Sequence, residues 1–177
     1  AASSRARLEQ LAEDELHALG MRTDALAMVI QHTVADLQLI SSQDAVLALV
    51  NGARTDSSDA ERALRALAAL HPEYQRVAGI PLDGRPAFGI AGAEGGQLAR
   101  TEDPLADASG ALDAQFARSL GGVFVALMPA SIADSGAVSS RPDEGASLVV
   151  GVGVEDQSGE LSMALAAQLP WADVLSQ

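Results

Sequence analysis

The chain has 177 residues and 48% hydrophobic residues, which is enough for one domain with a real hydrophobic core. Its formal net charge of −13 argues against nucleic-acid binding, because the 11 basic residues, all Arg, are scattered among 24 acidic ones. Cysteine is absent, which excludes disulfides, a thiolate nucleophile and Cys-ligated metals. No run of about 18 apolar residues is found, so no membrane span is predicted within the sequence.

The first fifty residues are predicted to form one or two long helices. Gly20 interrupts this stretch, and we expect a bend or a close approach of another helix there. Asp44–Val50 is predicted to continue the helix to a left-handed cap at Asn51-Gly52. Part of so long a helix is expected to reach a dimer partner or a membrane, the alternative being a helix packed wholly within one domain. The apolar positions recur at helical spacings: Leu8, Leu11, Leu19, Leu26, Val29, Ile30, Leu37 and Ile40.

A second helix and a β-hairpin follow. The helix is predicted to begin at Ser57-Ser58-Asp59, a typical N-cap sequence, and to end near Leu70. The hydrophobic period then changes to two, which predicts a strand over Tyr74–Leu82. Asp83-Gly84 is a two-residue hairpin turn and joins this strand to a second one over Arg85–Ala91.

The rest of the chain predicts two short helices and three more strands. Gly92–Thr101 is glycine-rich and is interpreted as a loop. The predicted helices are Leu112–Leu120 and Trp171–Leu175, and the predicted strands are Val123–Met128, Ala146–Glu155 and Glu160–Leu169. The last two strands form a hairpin through the turn at Asp156–Gly159.

This last hairpin has one bulky face and one small face. The bulky face carries Leu148, Val150, Val152, Val154, Leu161, Met163 and Leu165. The small face carries Ser147, Gly151, Gly153, Ser162, Ala164 and Ala166. A sheet face without bulk either lets a helix approach closely or leaves a cavity. We expect the Ala-rich N-terminal helix to pack closely on the small face, and a cavity is the alternative.

The order of the predicted elements indicates the fold class. Helices are grouped before five strands that are joined mostly by hairpins, which favours an antiparallel α+β domain. We divide the chain into a long N-terminal helical region, residues 1–52, and an α+β core, residues 53–177.

No catalytic or metal-binding constellation is found in the sequence. A Gly-x-Ser-x-Gly motif is absent, and Gly89–Gly96 lacks the Lys-Ser/Thr ending of a phosphate-binding loop. His17, His32 and His71 are too far apart in the sequence to suggest a metal site. We therefore predict no catalytic residue, no metal and no cofactor.

Candidate ligand-binding residues are Arg and aromatic side chains near the predicted sheet. An Arg can recognise a carboxylate or phosphate with two hydrogen bonds, and aromatic rings can wall an apolar cleft. The candidates are Tyr74, Arg76, Arg85, Phe88, Phe116 and Phe124. The alternative is that the Arg residues lie on the surface and the Phe residues in the core.

Three segments resemble the Cache domains, also called PDC or PAS-like extracytoplasmic sensor domains. The segment from His71-Pro72 to Ile80, with Leu82-Asp83-Gly84-Arg85 after it, resembles the first hairpin of that family. Gly122-Val123-Phe124-Val125 and the loop to Arg141-Pro142 resemble its central strand and the excursion that follows. Ala146–Leu169 resembles its closing hairpin.

The resemblance implies a PAS-like five-stranded antiparallel sheet with a long N-terminal helix. It implies a signal-input domain between two membrane spans of a bacterial histidine kinase, chemoreceptor or diguanylate cyclase, with no enzymatic activity of its own. It further implies a homodimer through the N-terminal helix, a small-molecule ligand, and a location on the periplasmic face of the inner membrane. Attachment to the membrane would then use segments outside this chain.

Two departures from the family bear on the ligand. Ala87–Ile90 stands where many members have an Arg on the second strand, and Ser147–Val150 stands where a strand often begins with Arg. We therefore expect a small, mostly apolar pocket that binds free amino acids poorly. The alternatives are a partner-binding or dimerisation module without a pocket and, third, an extracytoplasmic enzyme.

Overall fold

The computed structural model describes residues 2–82, 87–92, 98–100, 122–128 and 146–175. The helices are α1 (Ala2–Ser41), α2 (Asp44–Val50), α3 (Ser58–Leu70) and α4 (Trp171–Leu175). The strands are β1 (Arg76–Pro81), β2 (Phe88–Gly92), β3 (Leu98–Arg100), β4 (Val123–Met128), β5 (Ser147–Glu155) and β6 (Leu161–Pro170). They form one sheet in the order β3-β2-β1-β6-β5-β4, and every neighbouring pair is antiparallel.

Both predicted hairpins are confirmed. In the first, β1 pairs with β2 and places Val77 opposite Ile90. In the second, β5 pairs with β6 and places Val152 opposite Leu165. All five predicted strands are present, and β3 adds a short edge strand within a segment interpreted as a loop. The predicted turn at 83–84 and the predicted helix at 112–120 lie outside the described residues.

Two serines end α1 before the chain enters α2. The hydroxyls of Ser41 and Ser42 donate hydrogen bonds to the carbonyl oxygens of Gln38 and Leu39, each over 2.7 Å. The backbone N–H of Ser42 still donates to Gln38 O at 3.2 Å, but that of Gln43 donates to Ile40 O at 3.1 Å instead of to Leu39 O, so the helical bonding pattern stops at this point. The predicted continuation of the helix is therefore broken at residues 42–43.

Helix α3 begins after Ser57, which is the N-cap residue as predicted but whose side chain makes no capping bond. The Oδ1 atom of Asp56 accepts hydrogen bonds from the backbone N–H of Ser58 at 3.0 Å and from its hydroxyl at 2.6 Å. The predicted cap residue Ser57 instead donates to Glu61 over 3.2 Å. A side-chain oxygen thus still satisfies an N–H group at the start of the helix, as capping requires.

The main hydrophobic core lies between the bulky face of the sheet and the helices. Helical residues such as Leu37, Val46 and Leu64 share this core with Val150 and Leu165 of the sheet. Our expectation that the N-terminal helix covers the small face was wrong. Burial of apolar surface stabilises by about 25 cal/mol per Å², so the helices cover the face with the larger side chains.

The small face of the sheet carries a second buried cluster. Its members are Ala78, Ile80, Phe124, Val149, Ala164 and Ala166, and none of the described helices contributes to it. The ring of Phe124 lies directly over Gly151 on the neighbouring strand and occupies the place where a side chain would stand. The small face is thus buried without the helix that was expected to cover it.

The N-terminal part of α1 extends beyond the packed body of the domain. Every side chain from Gln10 to Asp24 is exposed, and Leu26 is the first described residue of α1 that packs against the core. These fifteen residues span about 22 Å at about 1.5 Å per residue. No atom lies within 4 Å of the position that a Cβ at Gly20 would take, so the helix approach expected there is not seen among the described residues.

Candidate functional site

A small cleft opens where α1, the connection from α3 to β1, and α4 meet. Its volume is about 110 Å³. Ten residues line it: five His, Asp or Glu side chains, one tyrosine, one threonine and three apolar side chains. They are Val29, His32, Thr33, Asp36, His71, Glu73, Tyr74, Leu169, Asp173 and Val174. The cleft therefore lies at the junction between the projecting helix and the sheet.

Tyr74 is the buried centre of this cleft. Its hydroxyl donates a hydrogen bond to Asp36 Oδ2 over 2.7 Å. Burial raises the pKa of Tyr74 well above its ordinary value, and the hydrogen bond to Asp36 raises it further. Tyr74 is therefore a neutral donor that ties the start of β1 to α1 across the physiological pH range.

His71 stands between two carboxylates at the same junction. Its Nε2 lies 3.4 Å from Asp36 Oδ2, and its Nδ1 lies 3.2 Å from Glu73 Oε1. A neutral imidazole has one N–H group and can donate to only one of these partners, whereas the imidazolium can donate to both. His71 thus lies within reach of one carboxylate on α1 and of one on its own segment.

The chemistry of the cleft is limited to hydrogen bonding and charge pairing. Over the ranges that the structure describes, no three His, Cys, Asp or Glu side chains are grouped so that they could hold a metal ion. No helix within these ranges is both long and apolar enough to cross a membrane.

A second candidate site lies on the small face of the sheet. Gln168 is two residues beyond Ala166 on β6 and therefore shares its face. Its Nε2 donates to Ser147 Oγ over 2.9 Å, and Ser147 Oγ donates in turn to Gln75 Oε1 over 3.3 Å. The Oε1 atom of Gln168 is buried and has no hydrogen-bond partner. This atom is an acceptor held next to a surface of small apolar side chains.

The predicted ligand-binding residues do not meet in one cleft. Tyr74 and Phe88 lie in the main core, on the helical side of the sheet, and the ring of Phe88 covers Gly79. Phe124 lies in the cluster on the opposite face. Arg76 is half-buried at the start of β1, opposite Gln168 of β6.

Arg85 and Phe116 lie outside the described residues. The four candidates that the structure describes are thus divided between the two faces of the sheet.

Sequence reasoning named Tyr74 of the cleft as a candidate but missed Asp36 beside it and Gln168 on the small face. Gln168 could have been found, because the alternating pattern of its strand places it on the face of Ala164 and Ala166. Asp36 could not have been found from the sequence, because its partner Tyr74 is 38 residues away and no local pattern connects the two.

Comparison with known proteins identifies the fold. No protein-family model matches the sequence, and no curated protein matches it either. Among solved structures, the chain is similar to methyl-accepting chemotaxis protein X, with a TM-score of 0.65 and 17% identity over 95% of this chain and 65% of that one. It is also similar to the periplasmic sensory domain of the Campylobacter jejuni chemoreceptor Tlp1, with a TM-score of 0.61 and 9% identity over 87% of this chain and 58% of that one.

A third similar structure is the extracellular domain of a protein assigned as the histidine kinase vpHK1S-Z8. The TM-score is 0.59 and the identity 12%, over 94% of this chain and 59% of that one. The chain thus spans less than two thirds of the length of each of these three structures. The predicted α+β, PAS-like fold with a long N-terminal helix is confirmed.

Proposed function

We propose that the chain is the extracytoplasmic signal-input domain of a membrane-bound bacterial receptor. Support comes from its fold, which it shares with sensory domains of a chemoreceptor and of an assigned histidine kinase. An input domain needs no catalytic group of its own, and the two candidate sites offer hydrogen bonds and charges rather than a nucleophile with a base. On this proposal the domain binds a signal and passes a change of packing to the rest of the receptor.

The observation that carries the proposal is the placement of the two helices at the ends of the described chain. The N-terminal part of α1 projects from the domain, and α4 packs beside it, with Trp171 and Val174 facing a shallow groove shared with Leu19 and Leu26. Helix α4 therefore lies beside the part of α1 that projects from the domain. A domain anchored by a membrane segment at each end requires this arrangement, because both segments must enter the same bilayer.

The proposal includes a homodimer through α1, because this helix has a second apolar line besides the one that faces the core. The line runs along the outer side at alternating spacings of four and three, the heptad pattern of paired helices: Met21, Ala25, Met28, His32, Ala35 and Leu39. Its large members are exposed, Met21 by 62%, Met28 by 57% and Leu39 by 65%. We call this line the outer seam.

The proposal puts ligand binding on the small face of the sheet rather than in the cleft beside α1. The polar groups of the cleft are largely engaged with one another, as the bonds among Asp36, His71 and Tyr74 show. The small face combines small side chains with a buried oxygen, Gln168 Oε1, that has no hydrogen-bond partner among the described residues. The cleft then serves as the coupling point between the sheet and the projecting helix.

A partner-binding module is the second candidate function. One observation favours it: β4 is an edge strand, and Val125 and Leu127 expose 41% and 57% of their surface on it. Exposed apolar side chains on an open sheet edge invite pairing with another chain.

A chimeric receptor tests the proposed function. Residues 1–177 would replace the periplasmic domain of a histidine kinase that drives a reporter gene. Residues would then be inserted into the projecting part of α1, after Gly20. Two residues rotate the preceding helix by about 200°, whereas seven residues restore its phase to within about 20°. An input domain that signals through α1 predicts that two residues change the reporter output strongly and that seven residues do not.

The control is the same pair of insertions after Ala2, at the very start of α1. They rotate the linker to the first membrane span in the same way but leave residues 3–20 of α1 in phase with the rest of the helix. Equal output from all chimeras, including one that lacks residues 53–177, would contradict a role in signal input.

A further inference from the structure

The outer seam of α1 contains one side chain that can change its charge, His32. The other members of the seam are Met, Ala and Leu residues. His32 is exposed and lies near the middle of the seam, about one helical turn after Met28 and one before Ala35. The seam runs over residues 21–39, about 27 Å of helix at about 1.5 Å per residue. A second helix that covers the seam would therefore bury this imidazole among apolar side chains.

A second copy of the chain is the occupant that fits the seam. Heptad spacing is the pattern of helices that pair with helices of the same repeat. The seam carries no Asp, Glu or Arg, although the chain has 24 acidic and 11 basic residues, so it matches another apolar stripe rather than a charged partner. Ala25 and Ala35 alternate with larger members and let a facing helix approach closely. Each copy thus supplies the apolar surface that the other lacks.

The orientation of the two helices follows from the proposed function. If each copy is anchored in the same membrane by a segment that precedes α1, both α1 helices run away from that membrane and pair in parallel. His32 occupies an a position, since Met28 precedes it by four residues and Ala35 follows it by three. In a parallel pair, an a residue faces its own counterpart and enters a hole formed by four residues of the other helix. For His32 this hole consists of Met28, Gln31, His32 and Ala35 of the second copy.

We propose, on the basis of the dimer included in the proposed function, that the two His32 side chains face each other across a parallel interface and make it sensitive to acid. Neutral imidazoles can pack side by side, and one can donate a hydrogen bond to the other. Two imidazolium groups repel each other, and the hole in the second copy contains no carboxylate that would offset their charges. Protonation, which imidazoles undergo between about pH 5 and pH 8, therefore shifts the equilibrium toward the monomer.

The charged groups of the same copy do not remove this effect. His32 also lines the cleft, whose other titratable side chains come from α1, the connection from α3 to β1, and α4. They are Asp36, His71, Glu73, Tyr74 and Asp173. These groups lie in the same cleft as His32 in the monomer and in the dimer alike, so they do not create the difference between the two states. That difference arises at the interface, where the second His32 is the titratable neighbour.

Self-association at two pH values tests the role of His32. His32→Asn is the comparison protein, because Asn does not titrate and is accepted at an a position of parallel dimers. Acid also weakens the repulsion between two domains of net charge −13, but both proteins share that effect. Relative to His32→Asn, we expect the dimer dissociation constant of the wild type to rise about tenfold from about pH 7.5 to about pH 5.5, as when a dimer excludes one proton over one pH unit. Sedimentation equilibrium measures both constants.

Cysteine cross-linking tests the orientation, since the chain has no Cys of its own. Met28→Cys and His32→Cys are oxidised separately and as an equimolar mixture. In a parallel dimer, each variant alone forms a disulfide with its own copy. In an antiparallel dimer centred on the seam, residue 28 faces residue 32, so the mixture is cross-linked and the separate variants are not. Ala27→Cys is the control, because Ala27 is exposed but lies off the seam, and we expect it to cross-link less.

The outcomes separate this proposal from the proposed function. The pairing of His32 is overturned if the ratio of the two dissociation constants is the same at both pH values, if disulfides form in the mixture alone, or if neither protein associates at about pH 7.5. None of these results changes the dependence of the chimeric receptor on helical phase. Conversely, loss of that dependence together with acid-sensitive association would contradict the signalling role and leave the contact between the two His32 side chains standing.

Discussion

Tyr74 donates a hydrogen bond to Asp36 across 2.7 Å and joins two segments that are 38 residues apart in the sequence. The bond connects the start of the sheet with the part of α1 that packs against the core. His71 approaches the same carboxylate to 3.4 Å, so Asp36 holds two partners from the connection between α3 and β1. A shift of α1 along its axis would have to break or exchange these contacts.

Replacement of Tyr74 by Phe tests this connection. We expect Tyr74→Phe to lower the free energy of unfolding by about 0.5–1.5 kcal/mol at neutral pH, because one hydrogen bond is lost and the ring is retained. Unfolding in urea, followed by circular dichroism, measures the difference. An unchanged free energy of unfolding would show that the bond contributes nothing to stability.

The same pair of proteins makes a prediction at alkaline pH. Burial and the bond to Asp36 raise the pKa of Tyr74, so above about pH 10 the folded protein holds the phenolic proton more tightly than the unfolded chain. The free energy of unfolding of the wild type therefore falls as the pH rises, whereas Tyr74→Phe has no phenol to cause such a fall. The difference in free energy of unfolding between the two proteins closes between about pH 9 and pH 11. The chain has one Tyr, no Lys and no Cys, so no other side chain obscures the effect. A gap that stays constant would contradict the prediction.

Because the ring of Phe124 lies against Gly151, a larger residue at position 151 is expected to disturb the packing. A Cβ at residue 151 would collide with the ring of Phe124, so Gly151→Ala is expected to destabilise by about 1–3 kcal/mol. Gly20→Ala is the matched control. A Cβ at Gly20 meets no atom within 4 Å, and Ala is the better residue in a helix, so the change is expected to be neutral or to stabilise by up to about 1 kcal/mol.

A double variant identifies the cause of the defect at Gly151. Phe124→Leu provides space over residue 151, so Gly151→Ala should cost less in that background than in the wild type. Thermal unfolding of the four proteins of this cycle measures the coupling. Additive effects would show that the added methyl group at residue 151 does not meet the ring of Phe124.

Most of the fold could be predicted from the sequence because its signals are local. Hydrophobic alternation placed β5 and β6 within one residue of their ends, and the turn sequence between them set the antiparallel pairing. The break between α1 and α2 was missed because the backbone N–H of Gln43 bonds Ile40 O instead of Leu39 O, a local change of hydrogen bonding that the spacing of apolar residues does not show.

The candidate sites were less accessible to sequence reasoning. The alternation along a strand shows which residues share a face but not which face the helices cover. The N-terminal helix was therefore predicted to cover the small face, whereas it covers the bulky one. Phe88 and Phe124 look alike in sequence, yet their strands place them on opposite faces of the sheet. The pairing of Asp36 with Tyr74 depends on how α1 crosses the sheet, which no short motif encodes.

The outer seam of α1 predicts self-association. Met28→Glu places a charge in the middle of the seam and is expected to weaken a dimer, because two carboxylates would face each other across the interface. Ala27→Glu is the control, since Ala27 is also exposed but lies about a third of a turn away from the seam. Sedimentation equilibrium at high protein concentration should show weaker association for Met28→Glu than for wild type and Ala27→Glu. Equal association of all three would show that the seam is not an interface.

The hydrogen bonds of the turn between β5 and β6 predict that the stability of the domain falls in acid. Asp156 Oδ1 accepts hydrogen bonds from the backbone N–H of Ser158 at 2.8 Å and of Glu160 at 3.2 Å, and from the Ser158 hydroxyl at 2.5 Å. These bonds, that of the Ser158 hydroxyl above all, lower the pKa of Asp156. A carboxylate with a lowered pKa stabilises the folded state above the pKa it has in the unfolded chain, and this contribution is lost as the pH falls through the folded value.

Asp156→Asn tests the charge while it keeps an acceptor oxygen in the turn. We expect it to be less stable than the wild type at neutral pH and the difference to shrink as the pH is lowered below about 4, where the aspartate is protonated. In Ser158→Ala the loss of stability between neutral and acidic pH should be smaller than in the wild type, because the variant lacks the hydroxyl that stabilises the charged carboxylate. Guanidinium unfolding of the three proteins at about pH 7 and about pH 3 measures both effects. A difference between wild type and Asp156→Asn that is the same at both pH values would show that the turn is held by its backbone alone.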